Sequence, residues 1–266
     1  MPEDELTCEA SDSDSSETVG QASAELDNEL RLQLLYSGEV DIEGRMPWSS
    51  NATFLVNVTL PEDADLGVAA RAGQAIYKPL RGERPLWDFP TGLFRREVAA
   101  YQLSEAMGFH IVPPTIVRDG PLGEGSMQWF VDADHQQHFF TIYESREDLH
   151  DRLRLMAVLD IVANNTDRKS GHCLIARDDT IWGIDHGLCF ASEFKLRTVI
   201  WEFGGESIPE TAIAPLHRLV ENVPLGVAAL LDDDEVNAIQ ERAEWLLQQG
   251  EFPIDETGRR YPWPLV

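Results

Sequence analysis

Two polar strings on either side of a short hairpin constrain this chain most. An apolar run from Leu149 to Asn164 has near-helical spacing at Leu153, Met156, Ala157, Leu159 and Ile161. It ends in Asn164-Asn-Thr-Asp-Arg-Lys-Ser-Gly-His-Cys-Leu174. A hairpin is expected next, Cys173 to Arg177 and Thr180 to Ile184 around Asp178-Asp179, and its exit reads Ile184-Asp-His-Gly-Leu188. A loop, a hairpin and a second loop bring Asp167 and Asp185, 18 positions apart, to one cleft. Phosphoryl transfer needs two such carboxylates: one orients the attacking hydroxyl, the other holds the metal that bridges the nucleotide phosphates. Gly187 is expected to let the chain turn beside that metal.

The first half supplies strands. Leu30 to Val40 and Thr53 to Leu60 are expected as strands, joined by a turn-rich piece from Glu43 to Asn51. Gln74 to Pro79 is a third. An amphipathic helix is expected over Leu93 to Met107, closed by Gly108. Thr115 to Arg118 and Met127 to Val131 read as two further strands, and helices are expected over Glu210 to Asn222 and Asp233 to Gln249.

Composition narrows the function classes. Net charge is −26, and residues 1–29 hold ten acidic side chains with no Lys or Arg. That stretch lacks an apolar period and is expected to be a disordered acidic tail, with Ser11-Asp-Ser-Asp-Ser-Ser16 a candidate phosphorylation target. The remaining 37 acidic and 21 basic residues leave −16, a surface that repels nucleic acid and anionic membrane. No stretch approaches the roughly 18 apolar residues of a membrane span, so no integral membrane association is expected. Three cysteines and an acidic N-terminus point to a reducing cytoplasm. The sequons at Asn51 and Asn57 are then chance matches.

Asp167-Arg168 after a helix and Asp185-x-Gly after a hairpin resemble the catalytic and metal loops of the phosphatidylinositol 3-/4-kinase superfamily. Asn165-Thr-Asp-Arg168 and Ile184-Asp-His-Gly-Leu188 are most similar to the type II phosphatidylinositol 4-kinase pattern. The chain also resembles a bacterial family known only as kinase-related. The resemblance covers about residues 40 to 200. It implies an α+β, two-lobed protein-kinase-like fold: a β-rich small lobe with one main helix (30–131) and a mostly helical large lobe (132–266). It also implies ATP with a divalent ion, Mg²⁺ or, given His172, Mn²⁺; a lipid acceptor follows only from family analogy, and the net charge of −16 with no amphipathic membrane anchor argues instead for a hydroxyl on a protein or small molecule.

Residue by residue, Ala75-Ile-Tyr-Lys-Pro79 resembles the strand carrying the nucleotide-binding lysine. Lys78 would reach the phosphates, and Ile76, on the same face, would line the adenine. Glu97, in Arg96-Glu-Val-Ala-Ala-Tyr101, would pair with Lys78. Ser49, Ser50 and Asn51 would cover the phosphates, although the turn lacks a Gly-rich repeat. Gln128, Trp129, Phe130 and Val131 would form the hinge that binds the adenine edge. Asp167 would orient the acceptor, Arg168 and Lys169 would support the catalytic loop, and Asp185 would hold the metal.

One position departs from the pattern. Five residues after Asp167, where kinases usually place a metal-binding Asn, stands His172. His172 would assist Asp185 in holding the metal, imidazole suiting softer ions such as Mn²⁺, or would donate a hydrogen bond to phosphate. The departure keeps two alternatives open: a nucleotide-binding pseudokinase acting as an interaction module, and AMP transfer on the same scaffold. A zinc site from His172, Cys173, His186 and Cys189 is disfavoured, because adjacent strand residues point to opposite faces.

Overall fold

The computed structural model of the protein describes residues 28–47, 49, 51–61 and 71–265. Most of the expected acidic tail and Ser50 of the expected phosphate-covering turn therefore lie outside the described residues. Asn28 and Glu29, the last two residues of that tail, open a helix, α1 (Asn28–Ser37). Where a strand from Leu30 was expected, the chain is helical. Leu30, Leu32 and Leu34 alternate, but Leu34 and Leu35 together suit a helix face, and Leu is a strong helix former. Both are fully buried, and the Gly38 N–H donates to Leu34 O at 2.9 Å, ending the helix.

The small lobe is a five-stranded antiparallel sheet in the order β1-β2-β3-β5-β4. Its strands are β1 (Glu39–Arg45), β2 (Phe54–Thr59), β3 (Ala72–Pro79), β4 (Thr115–Gly120) and β5 (Gly123–Trp129). Val56, Val58, Ala75, Tyr77, Ile116 and Met127 bury one face against Leu34 and Leu35 of α1. The turn after β1 is tied to the loop after β3. The Ala52 N–H donates to Gly82 O at 2.9 Å, and a side chain at Gly82 would meet the Ala52 Cβ at 2.6 Å.

Helix α2 (Leu93–Met107) spans the residues expected and ends at left-handed Gly108, φ 73°. Its packing couples the lobes. Ala99, Ala100, Leu103 and Met107 belong to the large-lobe core rather than to the sheet's own cluster. That core surrounds α4 (His150–Val162) with α5 (Glu210–Glu221) and α7 (Asp233–Gln249). The chain also forms α3 (Phe139–Ser145), the hairpin β6 (Cys173–Ile175) and β7 (Ile181–Gly183), and the short α6 (Leu225–Ala228). Among the described residues, no helix is long and apolar enough to cross a membrane. The fold is thus α+β, with a β-rich small lobe bearing one main helix and a mostly helical large lobe.

Candidate active site

The site lies where β3, α2, the loop after α4 and the loop after β7 meet. From β3, the Lys78 ammonium contacts two carboxylates: Glu97 on α2, and Asp185 Oδ1 at 2.8 Å. Glu97 is 3% exposed, and its second oxygen accepts the His186 N–H at 2.9 Å. One buried carboxylate therefore holds both the lysine and the loop carrying Asp185. Burial pushes the Glu97 carboxyl up, against the pull of Lys78. Burial also opposes the charge on Lys78, but Asp185 and Glu97 together outweigh it and raise its pKa. Lys78 holds Asp185 well below the usual carboxylate range.

Asp185 itself takes the left-handed conformation, φ 60°. Asp tolerates that region better than most residues, and non-glycine residues forced there cluster at functional sites. The turn beside the expected metal site is thus made by Asp185 rather than by Gly187, whose φ is not left-handed. Gly187 serves close approach instead: a Cβ there would come within 3.3 Å of Glu97 Oε1.

Asp167 lies at the end of the α4 loop, its N–H donating to Asn165 Oδ1 at 3.0 Å and its carboxylate paired with Lys169. Burial raises its pKa, and Lys169 opposes the rise. Arg168, expected to support the loop beside Asp167, is fully buried and makes its contacts with the protein interior. It donates to Asp160 of α4 (Nη2 to Oδ1, 2.8 Å), to His172 O (3.2 Å), to Ile184 O (2.9 Å) and to His186 Nε2 (2.7 Å). A single guanidinium thus joins helix α4, the loop carrying Asp167 and both ends of the hairpin. An isolated buried charge there would be costly, and Asp160 compensates it.

His172 Nε2 lies 3.4 Å from Asp185 Oδ2, and its Nδ1 accepts the Lys169 N–H at 3.4 Å. With Nδ1 accepting, the proton sits on Nε2, the atom that faces Asp185. Burial pulls His172 down to about 4 and also pulls His186 well below its ordinary value. The unfolded chain protonates His172 near pH 6.5 and the folded one only near pH 4. The stability gained by neutral burial is therefore complete above pH 6.5 and lost as pH falls toward 4. The melting temperature of the metal-free protein should fall across that window less steeply in His172→Asn than in the wild type. Parallel melting curves would contradict this.

The expected hinge divides. Gln128 and Trp129 are still in β5: the Gln128 side chain donates to Thr115 Oγ1 at 2.9 Å, and the Trp129 ring packs against Gly73. The Phe130 N–H is taken by Gln74 O at 3.0 Å. Val131 lies beyond the sheet, in an apolar cluster with Leu174, Trp182 and Ile184 that the sequence reading did not assign. Of the phosphate-covering turn, Asn51 uses its side-chain oxygen to accept the Arg84 N–H at 2.9 Å, and Ser49 is partly buried. Cys173 and Cys189 are free and buried, and among the described residues no three His, Cys, Asp or Glu gather to hold a metal.

A family profile described as phosphatidylinositol 3- and 4-kinase matches residues 96–239, a span containing Glu97, Asp167 and Asp185. Protein Rv2133c of Mycobacterium tuberculosis is 36% identical over 268 residues, covering 87% of this chain and 94% of that protein. Phosphatidylinositol 4-kinase gamma 4 of Oryza sativa subsp. japonica is 33% identical over 146 residues, 44% of this chain and 24% of that enzyme. Among solved structures, hydra Fam20 with sugar matches at a TM-score of 0.48 and 12% identity, over 82% of this chain and 87% of that one. The Helicobacter pylori proinflammatory kinase CtkA matches at 0.47 and 9%, over 82% and 94%. The profile covers more than half of the 266 residues, and the chain belongs to the phosphatidylinositol 3- and 4-kinase family.

Proposed function

We propose that the protein is an ATP-dependent phosphotransferase that moves the γ-phosphoryl group to a hydroxyl of a protein or small-molecule acceptor. Membership of a kinase family supports phosphotransfer in general terms. The observation carrying the specific reading is the contact chain from Glu97 through Lys78 to Asp185, assembled across both lobes beside Asp167.

Asp185 is about half exposed, 49%, and offers hard oxygen donors. Mg²⁺ is commonly held by one or two carboxylates together with substrate phosphates and water, so this donor set fits it. The chemistry supplied by a divalent ion bound there is neutralisation of charge on the β- and γ-phosphate oxygens. Asp185 would hold that ion. In the tautomer set by Lys169, His172 steadies the Asp185 carboxylate; coordinating a softer ion such as Mn²⁺ would require the other tautomer. Lys78, held by Glu97, binds the α- and β-phosphates. Val131, Ile76 and the Leu174–Ile184 cluster line the adenine, with backbone groups after Phe130 at its edge. Asp167, its pKa raised by burial, orients the acceptor hydroxyl and receives its proton, while Lys169 places positive charge at the transferring group. His172 also favours a second reading, a nucleotide-binding interaction module without transfer.

Asp167→Asn separates the two. It should retain nucleotide binding while ADP release falls by about 10²- to 10⁴-fold. Undiminished ADP release in that variant would remove Asp167 from the mechanism.

The coupling of α2 to the large lobe gives another expectation. Arg96, beside Glu97, makes a buried ion pair with Glu235 of α7 and lies over the Phe89 ring, 5.6 Å from its centroid. Glu235→Ala leaves Arg96 buried without its partner, a cost of about 3 kcal/mol. Because Glu97 is one residue away, the KM for ATP should rise several-fold. An unchanged KM in a destabilised protein would mean that the pair serves folding only.

A further inference from the structure

The large-lobe surface beside Asp167 carries exposed cations in a chain of net charge −26. Two stretches frame the catalytic loop. The Arg197 N–H donates to Asn165 O at 2.9 Å, and its carbonyl accepts the Arg168 N–H at 3.1 Å. Alongside runs the C-terminal stretch: Arg260 O accepts the Thr198 N–H at 3.1 Å, and Leu265 O accepts the Ser170 N–H at 2.8 Å. Lys195, Arg197, Arg259 and Arg260 come from these stretches. Lys195 faces Glu193 and Asp88 at 3.5 and 3.7 Å, and Asp255 accepts the Arg260 N–H at 2.9 Å. The Arg260 guanidinium stacks over exposed Phe194, 5.3 Å from the ring centroid. Arg197 and Arg259 have no ion pair among the described residues.

The occupant that fits this face is the chain's own N-terminus. Residues 1–27 hold nine acidic side chains and no Lys or Arg, and Ser11, Ser13, Ser15 and Ser16 alternate with Asp12 and Asp14. The segment joins the fold at Asn28. One turn on, Arg31 lies over the Trp129 ring at 5.9 Å, where β5 ends and the chain passes to the large lobe. The twelve residues from Ser16 to Asn28 span up to about 40 Å when extended, close to the diameter of a domain of this size.

We infer that Ser11–Ser16 docks on the Lys195, Arg197, Arg259 and Arg260 face and is phosphorylated there by the chain's own site. The inference rests on the phosphotransferase reading and names its acceptor. A serine Oγ forms the new bond to the γ-phosphorus while the bond to the β–γ bridging oxygen breaks. ADP leaves with that electron pair, and the hydroxyl proton passes to Asp167 and then to water.

The test uses the full chain with ATP and either Mg²⁺ or Mn²⁺. It follows ADP release, the ATP-dependent rise in melting temperature, and phosphate location by peptide mass mapping. Phosphate is expected within residues 11–16, at a rate per molecule independent of protein concentration and lost in Asp185→Asn. The pair Arg259→Glu with Arg260→Glu should slow it at least tenfold while keeping the ATP-dependent rise. Adding Asp12→Lys and Asp14→Lys to that pair should restore part of the rate. ADP release without phosphate in residues 11–16 overturns the inference and leaves the transferase reading standing, whereas an ATP-dependent rise with no ADP release overturns both readings. Tail phosphate at full rate in the double arginine variant overturns the docking face. No response to ATP with either ion overturns both readings.

Discussion

Asp185→Asn is expected to abolish the thermal stabilisation that ATP with Mg²⁺ or Mn²⁺ gives the protein. The substitution keeps the shape of the side chain and an oxygen for Lys78, but removes the half-exposed charge that would hold the ion. A ligand at a hundred times its Kd stabilises the native state by about 2.7 kcal/mol. For a domain of this size that is roughly 5–10 °C of melting temperature. The wild type should show a rise of that order and the variant about 1 °C or less, with phosphoryl transfer lowered by about three orders of magnitude. The unliganded melting temperatures should stay close, because the Lys78–Asp185 pair is partly solvated and such pairs contribute little. A variant with the full rise would place the ion elsewhere.

Arg168→Met should give the largest loss of stability. Arg168 is fully buried and bonds Asp160, His172 O, Ile184 O and His186. Removing it leaves Asp160 as a buried charge without its cation. Breaking such a pair costs about 3–5 kcal/mol, or roughly 6–20 °C in a chain of this length. Asp160→Asn added to Arg168→Met should recover part of the loss, since no lone charge then remains, and the two effects should be far from additive. A melting temperature within about 2 °C of the wild type would show that the network contributes little.

Much of this site was legible in the sequence because it depends on order along the chain. Lys78, Glu97, Asp167 and Asp185 each lie on the expected element, and the hairpin between the last two forms around Asp178-Asp179 as expected, with shorter strands, Cys173–Ile175 and Ile181–Gly183. Helix α2 has the expected ends because its apolar period is long and Gly108 provides a clear stop. The start of the fold was less legible. Leu30 to Leu35 fits both a period of two and a helical face, and helical propensity with Gly38 decided it. Arg168 had a signal that could have been used: Asp160 is a carboxylate in an otherwise apolar helix, which demands a buried partner nearby. The roles of His186 and Glu235 had no local signal. They depend on contacts between residues 89 and 139 positions apart, which only the folded chain creates. The expected strand over Met127 to Val131 ends at Trp129 in the structure and begins earlier, at Gly123, because strand ends are the least determined part of a periodic pattern.

The measurement that tests the central claim most directly is the fate of a label on the γ-phosphoryl group of ATP. The full-length protein is incubated with the labelled nucleotide and each of the two divalent ions. The account predicts ADP as product and the label on a hydroxyl, a serine within residues 11–16 in the full chain, with both signals lost in Asp167→Asn and Asp185→Asn. Nucleotide bound in a metal-dependent way with no ADP formed would contradict transfer and leave the protein a nucleotide-binding interaction module. Label lost with pyrophosphate while AMP stays on the protein would mean that the same residues transfer the other end of the nucleotide.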